Sequence, residues 1–110
     1  MILSKENIAD RKITILGMKK SGYSAALLAS KFGATIFISD SNKDEIACQN
    51  YEKLKKVGMQ CEIGGHTDEI YDSDIWIVSP GIPKDSDVIK KANKLKIPII
   101  SEIEFASRFT

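Results

Sequence analysis

Apolar residues along this chain gather into five short runs separated by longer stretches with helical spacing. The runs are KITIL (12–16), TIFIS (35–39), QCEI (60–63), DIWIV (74–78) and IPIIS (97–101). Three of them are nearly continuous in β-branched or aromatic residues, the pattern of strands covered on both faces. QCEI is shorter and more polar, which predicts an edge strand. Between the first two runs, Ala25, Leu28, Ala29 and Phe32 follow helical spacing, and Gly33 supplies a left-handed stop. The second helical stretch opens with a capping box between Asn42 and Glu45, places Ala47, Tyr51 and Leu54 on one face, and stops at Gly58. GGHTDEIY (64–71) has room for only a turn or two of helix. After the fourth run and the loop SPGIPKDSD (79–87), Val88, Ala92 and Leu95 repeat at i, i+4 and i+7. Ser101 and Glu104 form a second capping box, for a terminal helix carrying Phe105 and Phe109.

Strict alternation of strands and helices implies right-handed crossovers and a parallel sheet. The expected fold is a Rossmann-like α/β domain over residues 1–110, with five parallel strands in the order 3-2-1-4-5 and helices on both faces. Ligands of such sheets bind beyond the carboxyl ends of the strands, where the strand order reverses. The loops at 17–22, 40–43 and 79–84 therefore converge on one crevice.

Length and composition narrow the function classes. A chain of 110 residues accommodates one such domain and not two. With 43% hydrophobic residues, 28% charged residues and a net charge of +1, it lacks the strongly basic balance of a general nucleic-acid binder. The lysine pairs Lys55-Lys56 and Lys90-Lys91 fall on predicted helices and read as solvated faces. Cys48 and Cys61 match no zinc-ligand spacing and His66 is the only histidine, so no metal site is expected. The two cysteines read as reduced thiols, with Cys48 facing a core. Lys5, Glu6 and Asp10 interrupt any signal-peptide core, and no apolar run approaches membrane-spanning length. The expectation is a cytoplasmic protein without a membrane partner.

Candidate chemistry sits on the three converging loops. In GMKKSG (17–22), Gly17 permits a sharp exit from the first strand, and Gly22 permits close approach at the helix start. The exposed amides between them, at the positive end of the helix dipole, make an anion site. Lys19 occupies the position where a dinucleotide fingerprint carries its second glycine. Its ammonium, or that of Lys20, can meet a phosphate, and the Ser21 hydroxyl can donate to one. Such a turn also serves simply to redirect the chain. Asp40 ends the second strand, where its carboxylate can accept from a ribose hydroxyl or from the N3 proton of a uracil. Alternatively Asp40 or Ser41 caps the following helix, in which case loss of the Asp40 carboxylate costs a cap and leaves the fold intact. In SPGI (79–82), Gly81 lets the backbone approach a ligand while Pro80 and Pro83 stiffen the loop, although a plain turn would look the same.

Taken in order, GMKKSGYS (17–24), ISDSN (38–42), SPGI (79–82) and SEIEFA (101–106) resemble the amino-terminal domain of the Mur ligases, most closely the D-glutamate-adding branch. The resemblance runs over residues 12–109. It implies a domain that holds the UDP part of a UDP-muramoyl-alanine substrate in peptidoglycan-precursor synthesis. It would place Lys20, Ser21 and Gly22 near the diphosphate, Asp40 and Ser41 at the uracil, and Gly81 beside the same substrate. Gly17, Lys19, Asn42, Lys43 and Ser79 are secondary members of that set. Two departures stand out: Lys19 replaces a residue that is usually small, and Asn42 stands where some members carry an arginine packed on the uracil, a role open to Lys43. In the family, ATP and magnesium are held by a central domain and D-glutamate is admitted by a carboxy-terminal one. This chain has no GxxxxGK[ST] sequence, so no catalytic residue, cofactor site or metal ligand is assigned to it. It reads as one domain of a larger ligase, its remaining domains expected in cis. Two other readings compete. An NAD(H)-binding domain of a dehydrogenase or redox sensor suits Gly17, Gly22 and Asp40 but not Lys19. A flavodoxin-like interaction domain without a ligand is at odds with three converging loops.

Overall fold

Five parallel strands form one sheet in the order β3-β2-β1-β4-β5: β1 (Lys12–Leu16), β2 (Thr35–Asp40), β3 (Gln60–Ile63), β4 (Ile75–Val78) and β5 (Ile99–Ser101). The computed structural model describes residue 4 and residues 7–109. Lys5 and Glu6, which bear on the signal-peptide argument, lie outside the described residues, as do Met1 to Leu3 and Thr110.

The strand period of two distributes side chains between two cores. On one face Ile13, Ile15, Ile36, Ile38, Ile75 and Ile77 meet α1 (Lys20–Lys31), α2 (Glu45–Lys56) and α4 (Glu102–Phe109) through Ala25, Ala26, Ala29, Leu54, Phe105 and Phe109. On the other, Leu16 and Trp76 pack with Ile70, Ile97 and the buried residues Ile89 and Ala92 of α3 (Asp87–Lys94). Each fully buried isoleucine or leucine contributes about 1.5–3 kcal/mol. Thr14 and Trp76 carry polar atoms into this second core, and both donate to the Ile70 carbonyl, at 3.1 and 2.7 Å. A short 3-10 turn, Asp68–Tyr71, positions that carbonyl. At the sheet edge, β3 has no fully buried residue, as its polarity predicts.

Three local expectations are corrected. The N-cap of α2 is Asp44, whose carboxylate accepts from the Ala47 amide at 2.9 Å, and not Asn42. The Asn42 amide is instead held by Asp40 Oδ1 at 2.9 Å, which places Asn42 in the turn before the helix. The buried face of α3 is Ile89 and Ala92, while Leu95 is 52% exposed as the helix ends. Cys48 does not face a core: it is half-buried on the flank of α2, its thiol directed at the Lys43 carbonyl. Half of the second capping box forms, because Ser101 Oγ accepts from the Glu104 amide at 3.0 Å. The Glu104 carboxylate is directed at Arg108, 2.9 Å away.

Candidate functional site

The carboxyl ends of β1, β2 and β4 open onto a crevice of about 490 Å³. Of the residues singled out from the sequence, Gly17, Lys19, Ser21, Gly22, Asp40, Ser41, Asn42, Ser79 and Gly81 line it. Lys20 and Lys43 do not. Lys20 lines a neighbouring cavity of about 520 Å³ between α1 and α4, with Leu28, Ile103 and Phe105. The stem of Lys43 lies instead against Gly64, after β3.

The glycine turn is held from several sides. Gly17 has φ +114°, a conformation that side chains disfavour, and its amide donates to the Ser39 carbonyl at 2.9 Å. A Cβ on Gly22 would stand 1.8 Å from the Gly17 carbonyl oxygen, so α1 can begin this close to β1 only without a side chain there. Between the glycines, the Met18 amide donates to Asp40 Oδ2 at 2.8 Å, and its carbonyl accepts from Asn50 Nδ2 at 2.7 Å. Asp40 and Asn50 thus clamp the turn from β2 and α2.

Asp40 is buried, and its two oxygens serve different loops, Oδ2 the Met18 amide and Oδ1 the Asn42 amide. The expectation that Asp40 or Ser41 caps the next helix is therefore corrected: Asp44 does that, and Asp40 joins the β1–α1 and β2–α2 loops.

Lys19 is the N-cap residue of α1, where no side chain caps the helix and no acidic residue stands in the first turn. The first intrahelical bond runs from the Tyr23 amide to the Lys19 carbonyl at 2.8 Å. The amides of Lys20, Ser21 and Gly22 therefore have no intrahelical acceptor and add to the positive end of the helix dipole. The Lys19 ammonium turns sideways to Asp44 Oδ2, 3.0 Å away. The Ala47 amide first, and then Lys19, hold the Asp44 carboxyl below its usual range.

Five residues outside the three loops reach the crevice: Ser86, Asp87 and Val88 where α3 begins, and His66 and Glu102. His66 follows β3, and its Nδ1 lies 2.6 Å from Ser39 Oγ. Ser39 is also 2.7 Å from Glu62 Oε2, its register partner on β3. The signal for His66 was available, since GGH follows a strand at the same sheet edge as the other loops. Glu102, known from the sequence only as part of SEIEFA, is 4% exposed and completes no hydrogen bond at either carboxylate oxygen. Its Oε1 would lie 3.3 Å from a Cβ on Gly22. Burial pushes the Glu102 carboxyl up, with only the neighbouring Ser21 hydroxyl pulling the other way.

Chemically, the crevice offers free helix-start amides for an anion at one end and engaged carboxylates with a histidine at the other. Among the described residues no three His, Cys, Asp or Glu side chains gather as a metal site, and no helix is long and apolar enough to cross a membrane.

The family profile described as the MurD N-terminal domain matches residues 12–88. The UDP-N-acetylmuramoylalanine--D-glutamate ligase of Chloroherpeton thalassium is 38% identical over 107 residues, covering 97% of this chain and 23% of the relative. A murein peptide ligase from Psychrobacter arcticus superposes with a TM-score of 0.74 at 26% identity, over 88% of this chain and 20% of that structure. The UDP-N-acetylmuramate-alanine ligase of Thermotoga maritima, at 23% identity and a TM-score of 0.71 over 87% of this chain and 22% of its own, shares the fold. The chain spans less than a quarter of the length of these curated relatives.

Proposed function

The chain belongs to the MurD N-terminal domain family, and from that premise we propose that it binds the UDP moiety of UDP-N-acetylmuramoyl-L-alanine as one domain of an ATP-dependent D-glutamate-adding ligase. The observation that carries this reading is the uncapped start of α1, with three free amides and no acidic residue in its own first turn, opening into the crevice beside Gly17 and Gly22. Diphosphate oxygens suit those amides, and the Ser21 hydroxyl can add a further donor. The Asp40–Asn42 loop receives the nucleoside, and Gly81 leaves its backbone open to the ligand: a Cβ there would meet only Ser79 Oγ, at 3.8 Å.

In the full ligase, ATP phosphorylates the muramoyl-alanine carboxylate, and the amine of D-glutamate attacks the acyl phosphate, releasing phosphate as the amide forms. ATP and magnesium belong to other domains of that enzyme in cis, because this chain has no phosphate loop. Its own share is to bind and orient the uridine-nucleotide end of a cytoplasmic precursor. The dinucleotide alternative is not favoured, since the relatives matching nearly all of the chain are amide-forming ligases.

Titration of the 110-residue chain with UDP, followed by amide NMR, tests the proposal. Without contacts to the muramoyl end, binding is expected at roughly 0.1–10 mM. The amides of Gly17 to Gly22, Asp40 to Asn42 and Gly81 should move together. Shifts confined to other regions would reject the site.

A further inference from the structure

We propose that His66 is a nucleoside-binding residue whose Nε2 accepts the N3 hydrogen of the uracil, so that it selects uracil over cytosine. The inference rests on the reading of the crevice as a UDP site and follows from hydrogen-bond direction around Ser39.

Glu62 is the anchor of the network. Its Oε1 accepts from Thr67 Oγ1 at 2.7 Å, and its Oε2 accepts from the Thr67 amide at 2.9 Å and from Ser39 Oγ at 2.7 Å. Burial pushes Glu62 up, but the bonds from Ser39 and Thr67 outweigh it and hold the carboxyl below its usual range. An ionised carboxylate only accepts, so the single Ser39 proton goes to Glu62. What remains on Ser39 Oγ toward His66, 2.6 Å away, is a lone pair. Nδ1 of His66 must therefore carry the proton. Burial also lowers the His66 pKa, against the pull of Glu62 and Asp40, which keeps the ring neutral. A neutral ring protonated at Nδ1 presents a bare acceptor at Nε2.

That acceptor belongs to a half-buried side chain that lines the crevice and follows β3, the strand paired with β2, which ends at Asp40. The two carboxylates at this end are already committed: Asp40 holds the Met18 and Asn42 amides, and Glu62 holds Thr67 and Ser39. His66 Nε2 makes no hydrogen bond to the described residues, so beside the committed Asp40 and Glu62 it is free to accept from a ligand. At N3 uracil carries a hydrogen where cytosine carries a lone pair. A fixed acceptor pairs with the first and repels the second. The ribose hydroxyls are the other donors at this end of a uridine nucleotide, and the experiment separates the two.

The test uses the 110-residue chain labelled with nitrogen-15, with UDP, 3-methyl-UDP, 2′-deoxy-UDP and CDP as probes. Free protein should show His66 protonated at Nδ1 and bare at Nε2, and UDP should move the Nε2 resonance. 3-Methyl-UDP and CDP should bind about tenfold more weakly than UDP, and 2′-deoxy-UDP about equally, for loss of one buried hydrogen bond. His66→Asn keeps a donor toward Ser39 but lacks Nε2, so it should bind UDP and 3-methyl-UDP alike. The comparison of ligands on the unmodified chain needs no variant and holds if His66→Asn fails to fold. Should UDP shift the Gly17 to Gly22 amides while Nε2 stays still and 3-methyl-UDP binds as well as UDP, the His66 assignment falls and the UDP reading stands. Loss of affinity with 2′-deoxy-UDP alone would overturn the base contact in favour of the ribose. A UDP titration that moves neither set rejects both.

Discussion

Lys19 and Asp44 meet at 3.0 Å, ammonium to carboxylate, and so join the N-cap residues of α1 and α2. This pairing answers the question raised by a lysine at the middle of a glycine turn. Its side chain is drawn sideways toward the next helix, and the amides at the start of α1 stay open. Asp44 caps α2 and holds Lys19 with different bonds, so one loop orders the other.

Lys19→Gly should therefore change UDP affinity by less than about fivefold, the scale of one exposed ion pair. UDP should still outcompete NADH on both proteins at one fixed salt concentration. A tenfold or greater loss of UDP binding, measured by calorimetry, would mean that the ammonium leaves Asp44 for the phosphate.

Two glycines of the crevice should respond in opposite ways to alanine. In Gly22→Ala the new methyl would stand 1.8 Å from the Gly17 carbonyl oxygen, so the start of α1 must move and the melting temperature should fall sharply. Gly81→Ala meets nothing closer than Ser79 Oγ at 3.8 Å, so thermal stability should be unchanged. UDP affinity of that variant should nevertheless drop if the ligand approaches this backbone. Unchanged affinity would remove Gly81 from the site.

Asp40→Ala should lower stability as well as binding. The buried Met18 amide loses a charged acceptor, a change of about 1.5–3 kcal/mol in denaturant unfolding. This departs from the sequence expectation that only a cap is lost. Asp40→Asn, which retains one oxygen, should fall between the two. An Asp40→Ala protein as stable as its parent would show that the Asp40–Met18 bond does not hold the turn.

Glu102 gives the chain a pH signature. Because burial raises its folded pKa above the unfolded value, near 4.5, the native state keeps a proton that the unfolded chain has already released. Stability from this group is full below that unfolded value and falls as pH rises through the folded one. Glu102→Gln removes the titrating group and so the stability loss on its ionisation. Thermal melts should show the variant more stable than its parent at pH 7, with the advantage shrinking toward pH 4. A variant no more stable at pH 7 would indicate that Glu102 is ionised and supported by a partner.

The alternation of runs and helical stretches determined the strand order, the parallel sheet and the converging loops. Hydrophobic period is a local property that survives in the sequence, and crossover handedness then leaves few topologies. The strand order located the crevice, and the motifs on its loops were legible because each lies within a few consecutive residues. Choices between nearly equivalent local patterns needed the tertiary structure. Val88-Ala92-Leu95 and Ile89-Ala92 both satisfy helical spacing; the core on that face of the sheet receives Ile89 and Ala92 with Val88 packed beside them, while Leu95 lies where α3 ends. Asn42 and Asp44 are both competent caps, and Asp44 prevailed once Asp40 had taken the Asn42 amide. The direction of Lys19, the Asp40 clamp on Met18 and the Ser39–His66 contact depend on partners 22 to 27 positions away. Hydrogen-bond direction is set only when such partners meet, because a serine or histidine takes its role as donor or acceptor from its neighbours in space.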